Sequence, residues 1–260
     1  MSQAEQSATN LASDNWNNNL SKHQEKLLKD FVKVARGITP FTSNIFLEIG
    51  VVVQRALSRK LTNLIQLSGY NKRKIASYGD RKIILNIGCA NVYKDTLINA
   101  DLFFSGGEVL EKIRGRKGWD IDLFVNIDSY DQNLFECADG IVLSHVLEHI
   151  YPNLALKVLA NCFNYLKPGR CIRTSVPHLE AFNRSDFPIY MGIENRNLAR
   201  NYMIYGFHHK FMYDAEILAT LMKKVGFSEV QQVFYGQGLL NETDEPSHQF
   251  ESIYLTGVKP

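Results

Sequence analysis

The chain has 260 residues, 45% hydrophobic and 22% charged, enough for one sizeable buried core and unlike a fibrous or wholly disordered protein. Its 29 basic and 27 acidic residues leave a formal charge of +2, which gives no electrostatic case for nucleic acid as a partner. The balance is uneven: residues 1–80 carry 11 Lys or Arg against 6 Asp or Glu, while residues 81–260 carry 18 against 21.

Residues 1–19 are rich in Ser, Asn, Gln and Ala and read as a mobile N-terminus. They show no basic and apolar signal regions, no stretch reaches the ~20 apolar residues of a membrane span, and no two of Cys89, Cys137, Cys162 and Cys171 fall in a C-x-x-C spacing. The expectation is a cytoplasmic protein with free thiols and no transmembrane segment. Residues 20–80 read as a helical extension. Ser21 and Gln24 fit a capping box, followed by Leu27, Leu28, Phe31, Val34 and Ala35 at helical spacing, with Gly37 and Pro40 as the stop. A second helix is predicted over about 44–68, with Phe46, Ile49, Val53, Leu57, Leu61 and Leu64 on one stripe. The two stripes are expected to bury as a cap on the main domain; a homodimer surface or a peripheral membrane contact through residues 20–70 is the other use. Asn71 to Lys74 reads as a solvated link.

From residue 81 short apolar runs alternate with helical patterns. Strands are predicted at 83–88, 97–101, 121–127, 140–144 and 171–176, and two late ones near 229–235 and 251–258 pair as an antiparallel edge hairpin. Leu156, Leu159, Phe163 and Leu166 mark one helix, and a second starts at the N-cap Asp214 and stops at Gly226. Residues 81–260 therefore form one α/β domain, doubly wound around a mostly parallel sheet.

Ligands of such sheets bind beyond the carboxyl ends of the strands. The residues there are Gly88, Cys89, Ala90 and Asn91 after the first strand, Asp101 after the second, Asn126 and Ile127 after the third, and Ser144 and His145 after the fourth. A small-residue turn followed by an acid suits a ligand containing ribose, whose two hydroxyls one carboxylate can bind. A dinucleotide fits less well. Asp101 follows Gly88 by 13 residues rather than ~20, and residues 91–96 leave little room for the helix whose N-terminus would meet a pyrophosphate. A ligand with adenosine and no phosphate fits better.

Four segments carry a resemblance. ILNIGCANVYKDTLINADL resembles the first motif and acidic second-strand end of the class I S-adenosylmethionine (SAM)-dependent methyltransferases. ADGIVLSHVLEHI is similar to the fourth-strand motif of a bacterial subgroup of that family. YLKPGRCIRTSVPHLE resembles the strand after it, and HHKFMYDAEILATLMKKVGFSEV the segment around the last helix. The resemblance covers residues 81–260 and implies a Rossmann-like methyltransferase fold, SAM as cofactor with S-adenosylhomocysteine as product, and methyl transfer to a small-molecule or glycan acceptor through a hydroxyl or an amine. It assigns Gly88, Cys89, Ala90, Asn91, Asp101, Asn126, Ile127, Ser144 and His145 to the cofactor. Ala90 stands where the family has Gly, Asn126 where it often has an acid, and His178 where the subgroup more often has Asp. A non-catalytic SAM-binding scaffold working through the N-terminal helices is the first alternative.

The catalytic candidates are His149, His209 and Glu148: a histidine as general base for a hydroxyl acceptor, and Glu148 to orient it or the substrate. A structural role for His149 stands beside the catalytic one. His145, Glu148 and His149 also match H-x-x-E-H, a zinc-hydrolase spacing that requires both histidines on one helical face; no metal is expected, because the segment directly follows a buried strand. Tyr190, Tyr202, Tyr205, Phe207, Phe211, Met212 and Tyr213 either line an acceptor site or fill a packed insertion.

Overall fold

A computed structural model describes residues 21–38, 45–90, 92–103 and 121–260, with side chains in the second helix from Val52 onward. The expected mobile segment 1–19 and the side chains of the stripe residues Phe46 and Ile49 lie outside what is described. The chain packs as two units: Gln54–His178 with Lys210–Pro260, and the described residues of Met1–Val53 with Leu179–His209.

The larger unit holds a seven-stranded sheet in the order β3-β2-β1-β4-β5-β7-β6. Its strands are β1 (Ile84–Ile87), β2 (Ile98–Asp101), β3 (Leu123–Phe124), β4 (Ala138–Ser144), β5 (Leu166–Pro177), β6 (Ser228–Val233) and β7 (Ser252–Val258). The first five run parallel, with Leu85 opposite Ile98 and Ile141 opposite Ile172. β7 is antiparallel to both β5 and β6. This is the Rossmann-like methyltransferase fold that the sequence implies, with the order reversing between β1 and β4. β3 has two residues where seven were expected. Leu85, Ile87, Ile98, Ile141, Leu143 and Ile172 form the core, joined by Leu159 and Cys162 of helix α4 (Ala155–Tyr165) and by Leu218 and Met222 of α6 (Ala215–Val225). The Asp214 carboxylate caps α6 by accepting the Ile217 N–H at 2.7 Å, and Gly226 ends it at φ 120°.

Two expectations about the extension are corrected. Asn71 to Lys74 is no solvated link, since it lies in helix α3 (Tyr70–Ala76) with Asn71 fully buried. The Asn71 amide accepts the Phe124 N–H at 3.2 Å and donates to the Phe124 carbonyl at 2.8 Å, serving the edge strand β3 as a further strand would. The leucine stripe of helix α2 (Ile45–Leu67) does not bury on the domain either. Among its described side chains Ser58, Thr62 and Gln66 are the buried ones, while Leu57, Leu61 and Leu64 face solvent. The physical reason is hydrogen bonding. Ser58 Oγ donates to the Phe103 carbonyl at 2.6 Å, Thr62 Oγ1 accepts the Phe103 N–H at 2.8 Å, and Gln66 Oε1 accepts the Asn126 N–H at 3.2 Å. Loop backbone at the carboxyl ends of β2 and β3 needs partners, and polar side chains supply them where leucine cannot.

In the smaller unit, α1 (Lys22–Ile38) opens with the expected reciprocal cap, Ser21 N–H to Gln24 Oε1 at 2.9 Å and Gln24 N–H to Ser21 Oγ at 3.3 Å. Of its predicted stripe, Val34 is buried, whereas Leu27, Leu28 and Phe31 are exposed. Lys26 pairs with Glu194 at 2.5 Å, and Asp30 accepts the Glu194 N–H. Phe182, Phe187 and Met203 fill this unit's interior, while Tyr205 and Phe207 are exposed, so the aromatic segment divides between packing and surface.

The strap between β6 and β7 is tied by one buried ion pair. Arg173 of β5 makes two parallel bonds to Asp244, Nε to Oδ1 at 2.5 Å and Nη2 to Oδ2 at 2.6 Å, and also donates to the carbonyls of Phe234, Gln237 and Leu239. Removing one partner leaves an uncompensated buried charge. Asp244→Ala is expected to lower stability by about 3–5 kcal/mol in urea unfolding. A loss below ~1 kcal/mol would show that the pair does not hold the strap.

Candidate active site at the carboxyl ends of the strands

β1 ends in a tight loop. Gly88 has φ 71°, and a side chain there would place its Cβ 2.6 Å from Val146 Cγ2, so both backbone and space require glycine. Ala90 is also left-handed, at φ 44°. Its N–H donates to Asp101 Oδ2 at 2.8 Å, while Asp101 Oδ1 accepts from Leu102 N–H at 2.6 Å. The acid at the end of β2 thus braces the loop after β1. Burial raises the Asp101 pKa, and the two N–H donors oppose that rise. Cys89 is buried beneath the loop. Asn91 lies outside the described residues. Residues 92–97 form a turn leading directly into β2, with no helix among them.

Asn126 is buried after β3. Its Nδ2 donates to Asn63 Oδ1 of α2 at 2.9 Å and its Oδ1 accepts the Asp128 N–H at 3.4 Å, so its amide is engaged within the protein. The carbonyl of Ile127 accepts from Asn161 Nδ2 at 2.7 Å. Gly88, Ala90 and Asp101 therefore come together as expected, whereas the polar groups of Asn126 and Ile127 already have internal partners.

At the end of β4, Ser144 Oγ lies 2.9 Å from Ser175 Oγ, and His145 turns away with φ 55°. That turn sets His145 between three groups. Its Nδ1 is 3.3 Å from Glu148 Oε1, its Nε2 is 2.7 Å from Ser252 Oγ, and its ring stacks on His248 with centroids 3.7 Å apart. Burial lowers the His145 pKa to about 4, with Glu251 acting in the opposite sense. His248 is likewise lowered to about 4, by burial first and by His145 second. Both rings are neutral at pH 7. Glu148 is fully buried, and desolvation lifts its pKa to about 7 against the opposing effect of His149. Its carbonyl accepts the Lys210 N–H at 2.6 Å.

His149 is exposed on the single 3-10 turn Leu147–His149. His145 and His149 consequently do not share a helical face, and the geometry that a zinc-hydrolase reading of H-x-x-E-H needs is missing. His209 belongs to the smaller unit, where its N–H donates to the Ile204 carbonyl at 3.0 Å. Sequence reasoning missed Ser252, His248 and Glu251. The reason is topological: β7 runs antiparallel to β5, which returns the residues just before it to the carboxyl ends of the parallel strands, a pairing that only the fold shows. The ligand atoms of His145, His248 and Glu251 lie within 4.8 Å of one another. The two rings are inclined by only 27°, however, so their in-plane lone pairs run side by side. An ion bonded at about 2.0–2.1 Å needs them to converge.

No family model and no curated protein matches this chain. Solved structures do. A SAM-dependent methyltransferase from Archaeoglobus fulgidus is 16% identical, with 76% of this chain and 94% of the other covered and a TM-score of 0.44. A SAM-dependent methyltransferase from Thermotoga maritima is also 16% identical, at 80% and 96% coverage and a TM-score of 0.43. Phosphoethanolamine N-methyltransferase 2 of Haemonchus contortus, solved with SAM, is 12% identical, and this chain spans 52% of it, with 74% of its own length covered and a TM-score of 0.40. At this level of likeness the assignment of the fold rests on the strand order itself.

Glu148 makes a pH test available. Its folded pKa, about 7, lies above the ordinary 4.5, so the folded state holds the proton more tightly than the unfolded chain does. The stability it confers is complete below pH 4.5 and is lost as pH rises to 7. Compared with Glu148→Gln, the natural chain should lose on the order of 2 kcal/mol between those pH values in urea titrations. A difference that stays flat with pH would rule out the raised pKa.

Proposed function

We propose that this chain transfers the methyl group of SAM to a hydroxyl of a small metabolite or glycan. The observation that carries the reading is the loop after β1: left-handed Gly88 and Ala90, braced by the buried Asp101 carboxylate, with no helix N-terminus behind it. A pyrophosphate would lack its usual counter-charge there. A nucleoside carrying a sulfonium needs none, and each Asp101 oxygen keeps a lone pair beyond its backbone bond for a ribose hydroxyl. The donor set therefore fits SAM, with Gly88, Cys89, Ala90 and Asp101 on the nucleoside side and Ser144 and His145 toward the methionine side. Asn126 and Ile127 serve as a wall rather than as hydrogen-bonding groups.

SAM, when bound, supplies a methyl group already activated for in-line displacement. The protein's part is to align the acceptor and receive its proton. His145 is the best-placed receiver. Its Nε2 lies 2.7 Å from Ser252 Oγ, a place that an acceptor hydroxyl can take, and in the tautomer with the proton on Nδ1 the Nε2 lone pair is there to receive the acceptor's proton. Burial keeps the imidazole neutral and so able to accept the proton. Glu148 in its ionised form offsets the charge that His145 then acquires. The exposed His149 and the half-buried His209 remain alternative bases.

Calorimetry with SAM and S-adenosylhomocysteine is expected to show binding of both, weakened roughly tenfold or more by Asp101→Asn. Unchanged affinity in that variant would remove the ribose assignment, and no binding by folded protein would sink the proposal. With labelled methyl groups and a panel of glycans and metabolites, His145→Asn is expected to lower kcat roughly 10²–10⁴-fold, a larger effect than its weakening of SAM binding in calorimetry. A larger loss in His149→Asn or His209→Asn would move the base to that residue. Binding without transfer to any acceptor would favour the scaffold alternative.

A further inference from the structure

Helix α2 is amphipathic in the reverse sense. Its polar residues Ser58, Thr62 and Gln66 are buried and bonded to the domain, while Leu57, Leu61, Leu64 and Leu67 are 53, 40, 62 and 83% exposed. Spaced by three or four residues, these leucines share one side of the helix. Exposed leucines that occur singly need no explanation, but four in one strip mark an interaction surface. The charge around the strip selects the partner. Between Glu48 and Asp80 the sequence has no acidic residue, and it has six basic ones: Arg55, Arg59, Lys60, Lys72, Arg73 and Lys74. Lys60 lies within the strip's own sector of the helix, and Arg55, Lys60 and Lys72 are exposed without an ion pair among the described residues.

We propose that the 54–67 segment of α2 docks the protein on an anionic lipid surface, lying in the plane of the interface with its leucines in the acyl boundary and its cations among the headgroups. Arg59 pairs with Asp128 at 3.2 Å, so the charge left for a partner is that of Arg55, Lys60 and Lys72; it suits a negative surface and would repel a second copy of itself, and leucines add nothing to the binding of a soluble polyanion. Among the described residues no helix is long and apolar enough to cross a membrane. Docking would be insensitive to the catalytic reading, because it uses none of the residues assigned to the cofactor or to proton transfer.

The test is flotation of the full chain with vesicles of phosphatidylcholine alone and with 30% phosphatidylglycerol, at low and high salt. The expected result is binding to the anionic vesicles that weakens with salt and falls roughly tenfold or more in Leu57→Gln/Leu64→Gln and several-fold in Lys60→Glu. These positions are exposed, and an unchanged melting temperature verifies that the variants fold. Absence of binding to anionic vesicles at low salt overturns the proposal. So does binding that the leucine substitutions leave intact, or a dimer in light scattering that the leucine pair abolishes while vesicles are ignored.

Discussion

The arrangement at the carboxyl end of the sheet follows from one constraint: backbone amides and carbonyls that leave a sheet and are then buried must find hydrogen-bond partners. β3 is only two residues long, so the chain around it has almost no ladder of its own. Asn71 completes Phe124, and Ser58, Thr62 and Gln66 complete Phe103 and Asn126. Each is a short polar side chain on a helix that precedes the sheet in sequence. Once those helices are turned to present amides and hydroxyls inward, their leucines have nowhere to go but outward. The exposed strip is thus the other side of the same geometric decision that closes the sheet edge.

The same economy of partners shapes the site. Asp101 does two things at once, holding the Ala90 N–H and terminating β2, and this couples the loop after β1 to the neighbouring strand. Ala90 in left-handed backbone is strained relative to glycine, and the Asp101 bond on its N–H helps to hold it there. At β4 the positive φ of His145 performs a comparable task, turning the ring away from the strand axis toward the start of β7. Three titratable groups, Glu148, His145 and His248, are then packed together. Desolvation favours the neutral form of each.

Much of this was legible in the chain. Short apolar runs ending in Gly, Asp or Ser give parallel strands with function at their carboxyl ends, because burial on both faces removes the need for alternation. The Asp214 cap, the Gly226 stop, the Ser21–Gln24 box and the late hairpin are all local, governed by interactions three or four residues apart or by strand patterning. Gly88 and Asp101 could be paired from sequence because both close strands that are neighbours in the fold. What could not be read were the encounters of residues far apart in the chain, such as His145 with Ser252 or Asn71 with Phe124.

The helices of the extension show where sequence stops being sufficient. Periodicity locates a stripe of leucines on α2 and identifies the residues that compose it. It carries no information about which side meets the domain, because that depends on what the opposing surface requires. A hydrophobic surface would have drawn the leucines in; the actual surface is backbone in need of donors and acceptors, so the polar side was drawn in instead. Sequence by itself determined most of the strands and long helices, their order and the small-residue loop with its acid, but not helix α3 or the shortness of β3. Tertiary structure alone decided which face of α2 is buried and which histidine stands at the site, since both are settled by contacts between segments that only the folded sheet brings together.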